Sequence, residues 1–263
     1  MTAFTPPPPA PPPIEACYFY HTTTIPGRGT VTGEWDLAPG IDAYLGHVPF
    51  AGKSVLDVGA ATGFLTFHME KQGAAVVAYD LSPEQAWDVV PLSGIDAAEH
   101  ARVRKAHIGA INNGFWLCHA ANGSNARLAH GTVYKIDPAI GPVDIAVFGS
   151  ILLHLRDPFL ALHNAAQLAR ETIIVADILP GGHALSRLLG ALMGRTMQFK
   201  PRFRRNGPWE TWWNLPPSLV CEFLGVLGFE ESVVSYHSQK LTGRSMPMYT
   251  VVATRTKPTV PLG

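Results

Sequence analysis

The stretch Ser54-Val-Leu-Asp-Val-Gly59-Ala-Ala-Thr-Gly63 decides the fold of this chain. Residues 54–58 form a short apolar run interrupted by one acid, a pattern typical of a buried parallel strand. Gly59 and Gly63 permit positive φ and close backbone approach, so a ligand can lie on this turn. The pattern therefore predicts a strand, a ligand-binding turn and a helix that begins at Phe64.

The same alternation of strand and helix continues along the chain. The predicted elements after the turn are a helix over 64–72, strands over 75–80, 143–149 and 172–176, a helix over 157–170, a helix around 219–227, and a closing β-hairpin of 231–236 with 248–254. Strands that alternate with helices favour a parallel sheet with helices on both faces. We therefore predict an α/β fold.

Two acids near the turn indicate which ligand it binds. Asp80 ends the second strand, where a carboxylate can accept both hydroxyls of a ribose. Asp57 lies just before the first glycine and would repel the pyrophosphate of a dinucleotide, whereas it favours the ammonium group of S-adenosylmethionine, directly or through water. The G-x-x-x-G spacing also differs from the G-x-G-x-x-G of dinucleotide-binding turns.

These residues, together with the segment from Val143 to Pro158, resemble the class I (Rossmann-like) S-adenosylmethionine-dependent methyltransferases over roughly residues 50–255. The resemblance implies a seven-stranded, mostly parallel sheet whose last strand is antiparallel. The family most often has glycine where Ala61 stands, so alanine is a tolerated departure of this chain from the family pattern. The cofactor-binding residues expected from the motifs and the resemblance are Asp57, Gly59, Ala61, Gly63, Asp80, Leu81, Ile136, Asp137, Gly149, Ser150 and Trp35.

Three of these residues are assigned by family position alone. Because the loop after the third strand flanks the adenine in this family, Ile136 is expected to pack on the ring and Asp137 to accept from its exocyclic amine. A core strand followed by a turn acid is the alternative for this segment. Trp35 is placed near the cofactor by a narrower resemblance, to the group that contains the tRNA wobble-uridine carboxymethyl-transferring enzyme and its small-molecule relatives.

The narrower resemblance is carried by Tyr20-His21, Thr30-Val-Thr-Gly33, Thr211-Trp-Trp213 and Pro216-Pro217-Ser218. The chain departs from the tRNA enzyme because its N-terminus is a proline run instead of a long basic extension. Leu153 also stands where that enzyme has a tyrosine. Both departures favour ordinary S-adenosylmethionine and a small-molecule acceptor, with nucleic acid not expected as a partner.

The acceptor side is expected to come from three places in the sequence. His154 follows the fourth strand and is a candidate base, with His21 and Glu210 as further catalytic candidates. A packing role is the alternative for His154 and for Tyr20, and a solvated side chain is the alternative for Glu210. The predicted substrate-binding residues are Tyr20, His21, His154, Trp209, Trp212, Trp213 and Arg205, although a solvated loop or a packed lid would also explain the tryptophan and arginine clusters.

Composition excludes several other classes of protein. Of the 263 residues, 47% are hydrophobic and 15% are charged, which supports a packed core. Lys plus Arg and Asp plus Glu number 20 each, so no basic field favours nucleic acid or a membrane surface. Three scattered cysteines and histidines without HxH or HExxH spacing predict no disulfide framework and no metal. Without a signal peptide or an apolar span in the sequence, we expect a cytoplasmic enzyme.

The predicted organisation is a disordered Pro-rich tail (1–13), an N-terminal cap (14–50) and a methyltransferase domain (51–263) with a lid at about 181–215. The predicted activity is methylation of a small molecule, such as an intermediate of secondary metabolism or a modified sugar. O-methylation is the first choice and N-methylation the second. The alternatives are an RNA nucleoside methyltransferase or carboxymethyltransferase, a non-catalytic binding protein of the same fold, and a nicotinamide dehydrogenase.

Overall fold

The computed structural model of the chain describes residues 3–181, 195–202, 204, 207 and 210–261. Its strands are β1 (Thr23–Ile25), β2 (Gly29–Val31), β3 (Trp35–Asp36), β4 (Ser54–Val58), β5 (Ala75–Asp80), β6 (Arg127–His130), β7 (Val143–Gly149), β8 (Ala169–Ile178), β9 (Gln198–Phe199), β10 (Trp213–Asn214), β11 (Glu231–Leu241) and β12 (Arg244–Thr254). Its α-helices are α1 (Ile41–Tyr44), α2 (Phe64–Lys71), α3 (Ala97–Asn122), α4 (Pro158–Ala166) and α5 (Pro217–Val226).

A central sheet of eight strands has the order β3-β11-β12-β8-β7-β4-β5-β6. The strands from β8 to β6 pair in parallel, and β12, the last strand in the chain, runs antiparallel to β8. The Rossmann-like class I methyltransferase fold is therefore confirmed. The predicted count of seven strands is corrected to eight, because Trp35 and Asp36 of the cap pair with Leu241 and Lys240 and add β3 at the edge.

Side chains on successive positions of β4 show how the sheet separates two apolar layers. Leu56 and Val58 pack on the face that α4 and α5 cover, whereas Val55 packs on the face covered by α1 and α2. This alternation follows the two-residue period of a strand. Because parallel strands end at the same side of a sheet, the ends of β4, β5, β6 and β7 meet at one rim, and the loops there build the site.

The predicted elements around the site agree closely with the observed ones. The strands predicted over 54–58, 75–80 and 143–149 have the observed bounds. The predicted helix over 157–170 begins as expected, with Asp157 accepting the N–H of Leu160 at 2.9 Å, but it ends at Ala166 because Ala169 already starts β8. The closing hairpin is longer than predicted and turns at Thr242-Gly243, both with positive φ.

Helix α3 is absent from the sequence prediction. Its N-terminus is capped by Asp96, which accepts the N–H groups of Ala98 and Glu99, and it ends at Gly123 in the left-handed region. Its buried apolar residues are confined to the second half, from Ile108 onward, while the first half is mainly polar and exposed. An apolar stripe over half its length gives a weak periodic signal.

The N-terminal residues differ from the expected disordered tail. The N–H of Thr5 donates to the carbonyl of Leu128 at 2.8 Å, which forms an antiparallel bridge at the outer edge of β6. The guanidinium of Arg127 lies 4.1 Å from the ring centroid of Phe4. The proline-rich composition predicts disorder for the whole segment. It gives no information about Phe4 and Thr5, which precede the proline run and contact the edge strand β6. The prediction for 1–13 is corrected at Phe4 and Thr5.

No helix in the part of the chain that the structure describes is long and apolar enough to cross a membrane. The predicted lid at about 181–215 lies partly outside the described residues. Within it, β9 and β10 pair through Phe199 with Trp213, and the N–H of Lys200 donates to the carbonyl of Trp212 at 2.9 Å.

Candidate active site

The turn after β4 has the backbone conformation that its glycines allow. Gly59 and Gly63 have φ of 80° and 82°, and Ala61 has φ of 48°. A Cβ on Gly59 would lie 2.8 Å from Cδ1 of Ile151, so a side chain there would collide with the loop after β7. Alanine at position 61 accepts a left-handed conformation that costs about 1–2 kcal/mol for a residue with a side chain. Gly63 caps α2 and packs against Phe67.

Asp80 joins this turn to the end of β5. Its carboxylate accepts the N–H of Ala61 at 2.6 Å and the N–H of Leu81 at 2.7 Å. Burial is the main effect on its pKa, which is raised, and the two backbone donors oppose that rise. Each oxygen keeps acceptor capacity beyond these bonds, so the carboxylate can also receive hydroxyl donors from the cavity that it lines.

Asp57 lies beneath the turn and does not line the cavity. Its side chain is fully buried, and Oδ2 accepts the hydroxyl of Thr66 at 2.6 Å. Oδ1 is buried without a hydrogen-bond partner among the described residues. Burial raises the pKa of Asp57 to about 7. Of the two expected modes of contact with a ligand ammonium, direct or through water, the burial of Asp57 removes the direct one, and Asp57 supports the turn from below.

A cavity of about 420 Å³ opens above the rim of the sheet. It is lined by residues of the turn and the strand ends, by the segment before β1, by α3, and by loops after β5, β7 and β9. The lining residues are Tyr18, Tyr20, His21, Glu34, Gly59, Ala61, Tyr79, Asp80, Leu81, Trp87, Asp88, Arg104, His107, Ile108, Ile111, Gly131, Val133, Gly149, Ser150, Ile151, His154, Leu155 and Glu210.

Gly149 and Ser150 line the cavity at the end of β7. Ser150 has φ of 54°, and its hydroxyl lies 3.1 Å from the hydroxyl of Tyr44. A Cβ on Gly149 would lie 2.8 Å from Leu65. The backbone therefore has to pass close to α1 and α2 here, which explains why glycine ends this strand.

Ile136 and Asp137 are not placed in the cavity. The chain leaves β6 at Gly131, and the N–H of Lys135 donates to the carbonyl of Thr132 in a tight turn. Ile136 then points into the core, while Asp137 is exposed and caps the next short helix by accepting the N–H of Ala139. The expected adenine contacts are corrected, because the turn directs the loop back into the domain after Gly131 and Val133.

Trp35 is also outside the lining. It is 6% exposed, packs in the core with Tyr44 and Leu37, and pairs through its backbone with Leu241. Its side chain is close enough to Tyr20, which does line the cavity, to oppose the rise in the pKa of that hydroxyl. The expected position near the cofactor is corrected: Trp35 supports Tyr20 from behind.

His154 lines the cavity, and its Nδ1 contacts the backbone carbonyl of Glu210. Because a carbonyl only accepts, Nδ1 carries the proton and the neutral ring has its lone pair on Nε2. Burial lowers the pKa of His154. The ring is therefore neutral at pH 7, as a general base must be before it accepts a proton.

The side chain of Glu210 lines the cavity as predicted and pairs with Arg104 of α3. Sequence reasoning missed Arg104, because it belongs to the half of α3 that shows no periodic signal. The ion pair connects α3 to the loop that bears Glu210. It therefore helps to fix the backbone carbonyl of Glu210, which orients the ring of His154.

His21 and Tyr20 line the cavity, as the sequence predicts, and His21 stacks on Phe64 with ring centroids 5.5 Å apart. Burial lowers the pKa of His21 to about 4, and its Nδ1 is buried without a partner among the described residues. Burial also raises the pKa of Tyr20 to about 12, with the charge of Glu34 as the next cause. Both groups are uncharged at pH 7.

Trp212 and Trp213 serve the packing of the lid and do not line the cavity. The indole N–H of Trp212 donates to the carbonyl of Asp88 at 2.9 Å, and that of Trp213 donates to the carbonyl of Arg156 at 3.2 Å. Both rings also contact Phe199. Their predicted role in substrate binding is corrected to a structural one. Trp209 and Arg205 lie outside the described residues.

Several other side chains in the lining were missed by the sequence analysis, among them Tyr18, Glu34, Trp87 and His107. Tyr18 donates to Oε1 of Glu34, and its ring lies 4.3 Å from that of His107. They come from the cap, the loop after β5 and α3, which meet only in the folded chain. Tyr18 lies two residues before Tyr20, and this closeness to the Tyr20-His21 pair is the local signal that the sequence offers for it.

Asp177, at the end of β8, gives a testable pH dependence of stability. It is 2% exposed, its Oδ2 has no partner among the described residues, and burial raises its pKa from 3.8 to about 7. A raised pKa means that the folded state binds the proton more tightly than the unfolded state does. The stabilisation is therefore complete below pH 3.8 and is lost as the pH rises through about 7.

We expect Asp177→Asn to flatten this fall in the free energy of unfolding, measured by urea denaturation from pH 4 to pH 8. Asp144→Asn is the matched control, because hydrogen bonds from Ser54 lower the pKa of Asp144 and its contribution has the opposite sign. An unchanged slope in Asp177→Asn would show that Asp177 is ionised in the folded protein.

The comparisons with known proteins agree with this geometry. A family model described as a methyltransferase domain matches residues 36–213, which is more than half of the chain. The chain therefore belongs to the methyltransferase domain family. This membership removes the nicotinamide dehydrogenase from the candidates. No curated protein matches the chain.

Solved structures with the same fold include the N-terminal domain of EvdMO1 in the presence of S-adenosylhomocysteine and D-fucose, at 18% identity and a TM-score of 0.53, covering 92% of this chain and 93% of that one. The same domain with S-adenosylhomocysteine bound has 17% identity and a TM-score of 0.54, with the same coverage. The 1,6-didemethyltoxoflavin-N1-methyltransferase of Burkholderia thailandensis, with 1,6-didemethyltoxoflavin and S-adenosylhomocysteine bound, has 17% identity and a TM-score of 0.50, covering 82% and 75%.

Proposed function

We propose that the protein transfers a methyl group from S-adenosylmethionine to a hydroxyl of a small molecule, with an amine nitrogen as the second choice of acceptor atom. The observation that carries the proposal is the composition of one cavity. A nucleoside-binding turn with Asp80 lines it together with the neutral His154, whose lone pair lies on Nε2.

The residues present fit S-adenosylmethionine. Gly59 and Ala61 line the cavity, so a ligand there can reach the backbone of the turn, and a larger residue at position 59 would collide with Ile151. Asp80 has acceptor capacity for ribose hydroxyls, and its carboxylate beside the turn suits a ligand with a sulfonium and an ammonium group and opposes a pyrophosphate. When bound, this cofactor supplies an electrophilic methyl group on sulfur.

The chain's own residues then have separate tasks. Asp80 and the backbone of the turn hold the nucleoside, while Tyr20 and His21 of the cap enclose the cavity and exclude water. His154 accepts the proton of an acceptor hydroxyl at Nε2, and the carbonyl of Glu210 stabilises the resulting imidazolium by accepting from Nδ1. Alignment and desolvation supply much of the remaining rate.

A small acceptor is supported by the acidic lining of the cavity. Glu34, Asp88 and Glu210 face it, and a phosphate backbone would be repelled by this charge. Secondary metabolism or a modified sugar is the proposed source of the acceptor. The RNA alternative predicts tRNA binding that weakens steeply with salt, as counterion release requires.

The test combines calorimetry with mass spectrometry. We expect saturable binding of S-adenosylhomocysteine, and transfer of a deuterated methyl group from labelled S-adenosylmethionine to an oxygen of a compound in a small-molecule extract. Label in tRNA would favour the RNA enzyme. Binding without transfer to any acceptor would favour the non-catalytic protein, and failure to bind either cofactor form would sink the proposal.

A further inference from the structure

The end of the cavity formed by Tyr18, Tyr20, His21, Glu34, Trp87, Asp88, Arg104, His107, His154 and Glu210, here called the acceptor end, is negatively charged. Among the described lining residues it holds three carboxylates and one guanidinium, that of Arg104. Arg104 is already paired with Glu210. Lys200 is close enough to His154 to lower its pKa but lies outside the lining. The acceptor end therefore has an excess of negative charge.

The three histidines of the acceptor end do not offset this charge. Burial lowers the pKa of His21 to about 4, and burial is also the first cause that lowers the pKa values of His107 and His154. Neutral imidazoles leave the carboxylates uncompensated. The charge of Glu34 is also the second cause, after burial, of the raised pKa of Tyr20, so Tyr20 experiences the same negative field.

A cluster of aromatic rings adjoins Tyr18, which donates its hydroxyl hydrogen bond to Glu34. The ring of His107 lies 4.3 Å from that of Tyr18 and 5.2 Å from that of Trp87. The guanidinium of Arg104 lies 5.2 Å from the Trp87 centroid, so one cation already occupies a ring of this cluster. Aromatic faces beside a carboxylate attract organic cations, because the ring quadrupole adds to the charge attraction.

Glu34 is the carboxylate best placed to receive such a cation. Asp88 accepts from the hydroxyl of Tyr134 and from the N–H of Arg156, and Glu210 is paired with Arg104. Among the described residues, the Glu34 carboxylate accepts one hydrogen bond, from Tyr18, whereas a carboxylate can accept about four. Of the three carboxylates, Glu34 can therefore accept the most further hydrogen bonds from a ligand.

We propose that the methyl acceptor is a small molecule that carries a protonated amine, which Glu34 binds beside the rings of Tyr18 and Tyr20. This inference rests on the proposed function, because it assigns the substrate class of the same cavity. The amine anchors the compound, and a hydroxyl elsewhere in it reaches His154.

The test uses three matched probes that differ in one group: tyramine, 4-ethylphenol and 3-(4-hydroxyphenyl)propionate. Their binding is measured by ligand-observed NMR and calorimetry, with the protein saturated by S-adenosylhomocysteine. We expect tyramine to bind about tenfold or more tightly than either other probe, since a hydrogen bond to a charged group contributes about 1.5–3 kcal/mol. In Glu34→Gln that preference should fall to about threefold or less.

Glu231→Gln is the matched control, because Glu231 is exposed at the start of β11, away from the rim that bears the cavity. It should keep the full preference for tyramine, and both variants should keep wild-type affinity for S-adenosylhomocysteine. Equal binding of the three probes, no tyramine binding at tens of millimolar, or a preference that survives in Glu34→Gln would each overturn the proposal. Each of these results is distinct from a failure to bind S-adenosylhomocysteine, which would count against the proposed function itself.

Discussion

Asp80→Ala is expected to weaken binding of S-adenosylhomocysteine about 100-fold or more, because two hydrogen bonds to a buried carboxylate contribute about 1.5–3 kcal/mol each. The substitution also releases the N–H groups of Ala61 and Leu81, which hold the turn against the end of β5. Affinity is measured by calorimetry, and folding by circular dichroism and thermal melting.

Asp144→Ala is the control for this variant. Asp144 also accepts from a backbone N–H, that of Ser54 at 2.8 Å, but it lies at the opposite end of the sheet, where β7 begins. It should lose stability and keep cofactor affinity. Asp80→Asn retains one acceptor oxygen and should give an intermediate loss. Wild-type affinity in a folded Asp80→Ala protein would mean that the nucleoside is bound elsewhere.

His154→Ala is expected to lower kcat by about 100-fold to 10,000-fold, the usual contribution of a general base. The measurement uses the acceptor identified in the labelling experiment, with S-adenosylhomocysteine affinity as a check on the cofactor end. Because burial lowers the pKa of His154, the acid limb of kcat/KM in the wild type should lie below pH 6.5. That limb should disappear in the variant.

His154→Asn separates the role of the base from that of a lid contact. An asparagine amide can still donate to the carbonyl of Glu210, but it provides no basic nitrogen. It should therefore be as slow as the alanine variant while retaining wild-type melting. His119→Ala removes another half-buried histidine whose ring bonds a carbonyl, that of Ala126, and should leave kcat unchanged. Near-normal turnover in both His154 variants would assign His154 to packing.

The cofactor end could be predicted from the sequence because its signals are local. The bounds of β4 and β5 and the positions of Gly59 and Asp80 follow from glycine conformation, strand period and a single acid at a strand end. Ile136 was predicted wrongly because the direction of a loop after a strand depends on its turn, and the turn at Thr132 leads back into the core.

The acceptor end could be predicted only in part. His154 and Glu210 stood out by position and composition, and the structure places both in the cavity. Glu34 and Arg104 gave no signal, because their importance comes from partners 16 and 106 residues away in sequence, Tyr18 and Glu210. Trp212 and Trp213 are conspicuous in the sequence but serve packing, since each of their two indole N–H groups donates to a backbone carbonyl inside the domain.

The segment before β4 touches both edges of the sheet. Thr5 bridges Leu128 of β6, and Trp35 pairs with Leu241 at the opposite edge. Both contacts require strands that lie about 120 to 200 residues further along the chain. Bringing such distant residues together costs chain entropy, and no contact offsets this cost until the sheet has formed. We therefore expect this segment to dock late in folding and to exchange its amide hydrogens sooner than β4 or β7. The cofactor end of the cavity would then form before the acceptor end, and the protein could bind its methyl donor in a state that cannot yet hold an acceptor.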